Sequence, residues 1–388
     1  MENILLKGIK QNTKAEKIER IQRYEITGKK LEEIKSFEFV NIELQNKLNK
    51  SGFIKPLLIQ RLVIPYFINK RSIIVNSHTG SGKTLAFLIP ILHLKKKSLI
   101  LVPNSILQEQ ICSVIEMIKD ENLNILKIKN SKDLKSIDNK RYDIIVSTPE
   151  ILFETENIIL LKKIRNLIID EADLIFSKNN LKNLEKLFSL IDLKKVCLSV
   201  FSATINKIVT EISCVFDVTK ISVFSLNAIN HEFLFCTTNS LKQISLKTRV
   251  DEGIPFPCLI FVKKEETAVE LSKRFEKSAV FFKNDQKVLD DFRLKKIWIL
   301  FCSDRLSRGM DFYNVKSVIN YNFPKSKTNF IHRIGRVNRN NFCDQKVITL
   351  FTKEDFLKLD RVITVLKENK SEIPESVINI ATKAKNKK

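Results

Sequence analysis

At 388 residues with 44% hydrophobic content, the chain is long enough for two ordinary domains and too apolar to be disordered. Its formal charge of +23 points to a polyanionic partner. Seven scattered cysteines without a CxxC pair argue for buried free thiols and against a zinc site or disulfide frame, and no apolar run reaches the ~18 residues of a membrane span.

In chain order, residues 1–35 are polar and read as a charged N-terminal arm, with no signal-peptide layout at the start. Short apolar runs then alternate with helical periods. SIIVNS (72–77), SLILVP (98–103), DIIVST (143–148), NLIID (166–170) and KVCLSVFS (195–202) read as buried parallel strands. KTLAFLIPILHL and SILQEQICSVIEMIK are the helices between them. The pattern restarts after a boundary near 222–230. HEFLFCTT (231–238), PCLIFVK (257–263), SAVFF (278–282), KIWILFCS (296–303), SVINYNF (317–323) and KVITLFT (346–352) form a second strand set. Trp298, in the fourth of these, is expected in the core. The fold class is α/β: two tandem parallel-sheet domains flanked by helices, over 36–224 and 230–372, with a basic mobile tail at 373–388.

Glycine is scarce. Only eight remain, and five of them lie in SGFIKP, HTGSGKT, SRGMD and HRIGR. A composition drift that removes glycine should spare positions whose backbone geometry needs it. In SIIVNSHTGSGKTLAF a strand runs through such a turn into a helix. Backbone N–H groups over residues 79–84, with Ser77 and His78 leading in, can wrap a phosphate chain; Gly80 and Gly82 permit the turn around Thr79 and Ser81. Lys83 would reach the β- and γ-phosphates, and the Thr84 hydroxyl would ligate Mg²⁺. NLIIDEADLIF delivers Asp170 and Glu171 at the end of a strand, Asp170 for the Mg²⁺ shell and Glu171 to orient and deprotonate water. His78 reads as a packing residue.

FIHRIGRVNRNN carries Arg333, Arg336 and Arg339 at three-residue spacing, in a chain where only 15 of 67 basic residues are arginine. On a helix these share broadly one face. Arginine's planar fork suits bidentate contact with phosphate oxygens.

With TGSGKT, DEAD (170–173) and SAT (202–204), the chain resembles the DEAD-box RNA helicases of superfamily 2, from about Phe37 to about residue 370. GFIKPLLIQ (52–60) looks like their adenine-sensing element, LIFV, SDRLSRGMD and HRIGRVNR like the motifs of their second domain. The resemblance implies two RecA-like domains, ATP and Mg²⁺ as cofactors, and RNA gripped by its sugar–phosphate backbone. It implies Gln60 as adenine reader and Phe37 (or Phe39) stacked on the base, with Gly309 and Asp311 at the nucleotide and Asp311 on the ribose. Asp173, Ser202, Thr204, His332 and Arg333 would couple the ATP site to RNA. Thr148, Ser303 and Arg308 would touch RNA, and Arg336 and Arg339 would reach the γ-phosphate. The second half is similar to the branch acting in early small-ribosomal-subunit assembly. That implies a soluble, monomeric, nucleolar protein acting on pre-rRNA, with ribosome-assembly proteins as partners.

Most departures fall on the RNA side, although Leu57 in the adenine-sensing element and Val337 and Asn338 in HRIGRVNR also depart from the family. Ser105 stands where the family has an arginine, Glu150 at the end of STPE stands where the family has the glycine of a Gly-Arg pair, and the double glycine is absent from ILKIKNSKDLK. The expectation is an RNA-stimulated ATPase with weakened intrinsic RNA affinity. An ATP-driven RNA clamp with little unwinding, and a DNA-acting motor, are the alternative readings.

Overall fold

The computed structural model describes residues 22–78, 80–130, 133, 142–152, 163–176, 181–192, 194–204, 216–225, 229–283, 285–304, 312, 315–337, 345–368 and 371–386. Its contacts divide the chain into two compact units, parted between Ser225 and Leu226.

The first unit holds an eight-stranded sheet. Its strands are β1 (Gln22–Thr27), β2 (Ser72–Ser77), β3 (Ser98–Leu101), β4 (Ile125–Lys127), β5 (Ile144–Ser147), β6 (Asn166–Ile169), β7 (Cys197–Ser202) and β8 (Val218–Ser225). They lie in the order β1-β8-β2-β7-β6-β3-β5-β4. All neighbours are parallel except β1, which runs antiparallel to β8 from Gln22↔Ser225 to Thr27↔Lys220. Both faces are buried. Ile73 and Val75 of β2 join one apolar cluster with Ile100, Val146 and Phe201. Ile74 joins the other with Leu99, Ile145, Leu167 and Val200. Burial on both faces explains why these strands are continuous apolar runs.

The second unit holds a six-stranded, wholly parallel sheet of β9 (Asn230–Phe235), β10 (Cys258–Phe261), β11 (Ser278–Phe281), β12 (Ile299–Cys302), β13 (Ser317–Asn320) and β14 (Lys346–Phe351), ordered β11-β12-β10-β13-β14-β9. Every expected strand forms, and the α/β class with two parallel sheets holds.

Three expectations change. Residues 22–27 of the supposed arm are an edge strand. Val218–Ser225 is a strand through the stretch read as a boundary. The helix Glu375–Asn386 occupies the supposed tail; it buries Val377 and Ala381 along the helix Phe356–Glu368, with Lys385 paired to Asp360 at 2.8 Å. Trp298 is half-buried, edge-on to Phe256 with centroids 6.1 Å apart, rather than central in the core. The five described cysteines are all buried and unbridged, and burial pushes the Cys112 and Cys197 thiols up to about 11.

Glycine scarcity leaves a trace in the backbone. Lys70, Lys95 and Lys295, each following a helix, have φ of 54°, 49° and 61°, as does Lys277 (49°) before β11. These are left-handed positions that glycine usually fills. Cations also precede four neighbouring strands of the first sheet. Lys70 and Arg71 lie before β2, Lys194 and Lys195 before β7, Lys163 and Arg165 before β6, and Lys95, Lys96 and Lys97 before β3.

Candidate ATP site and the second-unit arginine network

Sheet order brings the site together. β2, β7 and β6 are consecutive parallel neighbours. Their carboxyl ends therefore set the loop after Ser77, then Ser202, then Asp170 along one edge, with strands ~5 Å apart.

The helix Lys83–Leu94 starts directly after that loop and is buried almost throughout by Leu85–Leu92, which fixes its N-terminus against the sheet. Gly80 and Gly82 have φ of 75° and 96°. Gly82 is held on a second count: a Cβ there would lie 2.8 Å from both Gln60 Nε2 and Leu57 Cδ1. Gln60, buried, donates from Nε2 to the Gly82 carbonyl at 3.2 Å and accepts the Leu57 N–H at 2.9 Å. The glutamine expected to read adenine thus also ties its own element to the phosphate loop. Ser77 and Ser81 share a hydrogen bond at 2.8 Å. The Lys83 ammonium donates to the carbonyls of Ser77 (2.8 Å) and His78 (3.3 Å). Thr84, half-buried, follows it on the first helical turn.

Asp170 ends β6. Its N–H donates to the Leu101 carbonyl at 2.9 Å, and its Oδ1 accepts the Glu171 N–H at 2.9 Å. Burial, then the neighbouring Glu171 carboxylate, push its pKa up to about 7, while Lys83 and the Glu171 N–H pull the other way. Glu171 has φ 49° and ψ 51°, left-handed for a non-glycine residue at the start of the short helix Ala172–Ile175. Such a conformation persists where the surroundings impose it, and clusters at functional sites. Thr204 Oγ1 donates to Asp173 Oδ2 at 3.0 Å, and Ser202 Oγ donates to the Thr204 carbonyl at 2.6 Å. DEAD and SAT are therefore joined directly. Thr148, buried, follows β5 and its Oγ1 has no hydrogen-bond partner among the described residues.

Phe37 needs correction. Its ring is 3% exposed and packs with Leu44, Leu48 and Tyr66 in the first unit's core, so it has no face to offer a base. Phe39 is half-buried and meets His93 edge-on at 5.7 Å.

In the second unit, the helix Lys327–Ile334 carries Arg333. Its Nε and Nη2 donate to the two oxygens of Asp304 at 2.6 and 2.9 Å. Its Nη1 donates to Asn320 Oδ1 (3.0 Å) and the Asn322 carbonyl (2.7 Å), and its guanidinium lies 4.8 Å from the Phe261 ring centre. Asn329 adds a bond to Asp304 at 2.9 Å. Within its own unit, Arg333 locks the helix to the ends of β10, β12 and β13. Sequence reading missed Asp304 because its partner lies 29 residues further on. Ser303 sits next to it after β12. The helix ends at Ile334, and the next turn tightens, with Arg336 N to Arg333 O at 3.1 Å and Val337 N to Ile334 O at 3.0 Å. Arg333 thus lies on the helix and Arg336 on a 3₁₀-type turn that follows it. Arg336 is buried, with Nε donating to the His332 carbonyl at 3.2 Å; His332 is buried too. Thr79, Arg308, Gly309, Asp311 and Arg339 lie outside the described residues.

A strand-loop-helix phosphate cradle beside a buried Asp-Glu pair on a parallel sheet defines a nucleotide-hydrolysing α/β protein, here with a second sheet of the same type. The chain matches the DEAD/DEAH box helicase family over residues 58–212 and the helicase conserved C-terminal domain over 241–341. It is 32% identical to the ATP-dependent RNA helicase ROK1 of Saccharomyces cerevisiae over 387 residues, covering 89% of this chain and 68% of that protein. It is 30% identical to the probable ATP-dependent RNA helicase ddx52 of Dictyostelium discoideum, covering 89% of this chain; the match spans 56% of that relative's length. The crystal structure of a DEAD box protein from Methanococcus jannaschii superposes with a TM-score of 0.57 at 27% identity, covering 88% of this chain and 99% of that one. This chain belongs to the DEAD-box family of ATP-dependent RNA helicases. Among the described residues, no helix is long and apolar enough to cross a membrane.

Proposed function

We propose that this chain hydrolyses ATP in response to RNA and uses the cycle to open short duplexes or remodel RNA–protein particles, with precursor ribosomal RNA as its substrate in the nucleolus. The observation that carries the reading is the joined carboxyl edge: phosphate loop, Asp170-Glu171, and the Asp173–Thr204 bond at 3.0 Å. That bond gives a physical link between the hydrolytic carboxylates and the SAT segment, which the family resemblance ties to RNA.

In this reading the backbone N–H groups of the loop and Lys83 hold the phosphates, and Gln60 positions the loop against the base. Glu171 takes the proton of the attacking water. Thr84 and Asp170 offer hard oxygen donors of the type that suits Mg²⁺. The fit is physical as well as chemical, because burial and Glu171 disfavour the Asp170 charge and a cation would relieve both. Bound there, the metal supplies charge neutralisation at the phosphates. Arg336 is assigned the stabilisation of charge in the transition state. The ribosomal assignment rests on the second-half resemblance, and the RNA-helicase assignment on similarity to ROK1 and ddx52. The protein is proposed to act as a monomer together with ribosome-assembly proteins.

The test is phosphate release with and without RNA. Equal rates would sink the coupling. Glu171→Gln should bind ATP and RNA but turn over slowly; growth unaffected by that change would favour the clamp. Crosslinking to cellular RNA should place footprints on ribosomal precursors, and footprints elsewhere would remove that substrate.

A further inference from the structure

The amino edge of the first sheet is as unusual as its carboxyl edge. β2, β7, β6 and β3 stand side by side, and each is preceded by two or three cations. Nine cations face this rim against four carboxylates: Asp120, Asp143, Asp192 and Asp217. Backbone bonds knit it together. Arg165 N–H donates to the Lys97 carbonyl at 2.7 Å, Cys197 N–H to the Arg165 carbonyl at 2.8 Å, and the Cys197 thiol to the Arg71 carbonyl at 3.0 Å. Adjacent strands sit ~5 Å apart, so four entries make a row of ~15 Å. Because the strands are parallel, this row lies a strand's length, ~13 Å or more, from the ATP edge.

We infer that this rim is a second RNA-binding surface, which holds the phosphate backbone of RNA segments lying outside the ATP-coupled grip. The inference rests on RNA being the protein's substrate and adds a place where it touches. Three observations carry it. Lys70, Lys96, Lys163 and Lys194 have no carboxylate partner among the described residues, and all four are exposed or half-exposed. Two of the rim's ion pairs, Arg71–Asp217 at 3.5 Å and Lys195–Asp192 at 2.9 Å, are solvent-exposed on their acidic side, and such pairs are weak and readily exchanged for phosphate; the third, Lys95–Asp120 at 2.5 Å, has a buried carboxylate and leaves Lys95 out of the exchangeable set. Burial first, and then the charges of Lys70 and Arg165, push the Lys96 amine down, so the cations crowd one another. A polyanion would relieve that crowding and release counterions. The rim also offers a remedy for Ser105 and Glu150, where family contacts to RNA are missing: affinity lost at the grip is regained as sequence-independent charge elsewhere.

The test compares two RNAs, one of about 10 nucleotides and one of about 50, by filter binding across salt, using the full chain and a Lys70→Gln/Lys96→Gln/Arg165→Gln variant. Wild type should bind the long RNA at least about tenfold more tightly; the variant should lose most of that gain and flatten its salt slope by roughly 2, at ~0.7 per lost contact. ATP turnover stimulated by the short RNA should be unchanged. A variant made only at fully exposed positions, Lys70→Glu/Lys163→Glu/Lys194→Glu, guards against a folding defect and should show the same loss. Equal long-RNA affinity in wild type and both variants overturns the inference. So does a variant that stops binding phosphatidylserine vesicles while keeping long-RNA affinity. Failure of the short RNA to stimulate wild-type turnover would instead count against the proposed function and leave the binding comparison readable.

Discussion

The two sheets end in opposite electrostatic regimes. At the carboxyl edge of the first, two acidic side chains follow one another, Asp170 is buried with its pKa up to about 7, and Glu171 sits in left-handed backbone. At the corresponding edge of the second, every charge of Arg333 and Asp304 is matched: two oxygens meet two nitrogens, and the remaining donor is shared by Asn320 and Asn322. The first edge holds charges that fold at a cost until a ligand arrives. The second is a finished structural joint. The contrast separates two kinds of charged residue: the charge of Arg333 is matched inside its own unit, whereas the charge of Asp170 is disfavoured by its surroundings.

The largest effect should come from Arg336→Lys. If this arginine stabilises transition-state charge, RNA-stimulated turnover falls by ~10³ or more while ATP affinity holds, because lysine keeps the charge and loses the fork. Steady-state phosphate release with parallel nucleotide binding checks this; a drop under about tenfold would group Arg336 with Arg333. Arg333→Ala should behave differently. Removing the guanidinium from Asp304 and Asn320 should cost about 3–5 kcal/mol of second-unit stability, read by urea unfolding. Full stability with lost turnover would break the comparison.

Asp170→Asn tests the strained edge. A carboxyl whose folded pKa is raised stabilises the fold in its protonated form, so its contribution is full below the ordinary carboxylate value and is lost as pH rises through about 7. The variant should therefore be more stable than wild type at alkaline pH by about 1–4 kcal/mol, with the gap closing on acidification. A gap that ignores pH would remove the ionisation argument. The smallest effect should come from Lys295→Gly, which relieves a left-handed lysine with no role at either edge and should raise stability by about 0.5–1 kcal/mol in thermal or urea unfolding.

Much of the fold was legible because strands such as Ile73–Val75 and Leu99–Leu101 are buried on both faces and leave uninterrupted apolar runs. Gln22–Thr27 was not, since an edge strand with exposed Tyr24 and Arg23 carries no such run. The helix Glu375–Asn386 hid for the same reason, burying only a thin stripe under a lysine-rich surface. In the site, Gly82, Lys83, Asp170 and Glu171 were legible because their chemistry is local in the chain. Which of Phe37 and Phe39 keeps a free ring face is decided by packing against residues up to Tyr66, and the Arg333–Asp304 joint by a separation no spacing rule covers.

The glycine at position 82 has a wider meaning. Lysine occupies the left-handed turns at 70, 95, 277 and 295. Those turns tolerated a side chain. At Gly82, with φ of 96°, the first carbon of any side chain would meet Gln60 Nε2 and Leu57 Cδ1 at 2.8 Å, so both side chains would have to shift. In other compositionally drifted proteins, the few glycines left between a strand and a helix can be read as the places where a ligand, or the residue that senses it, comes within one methyl group of the main chain.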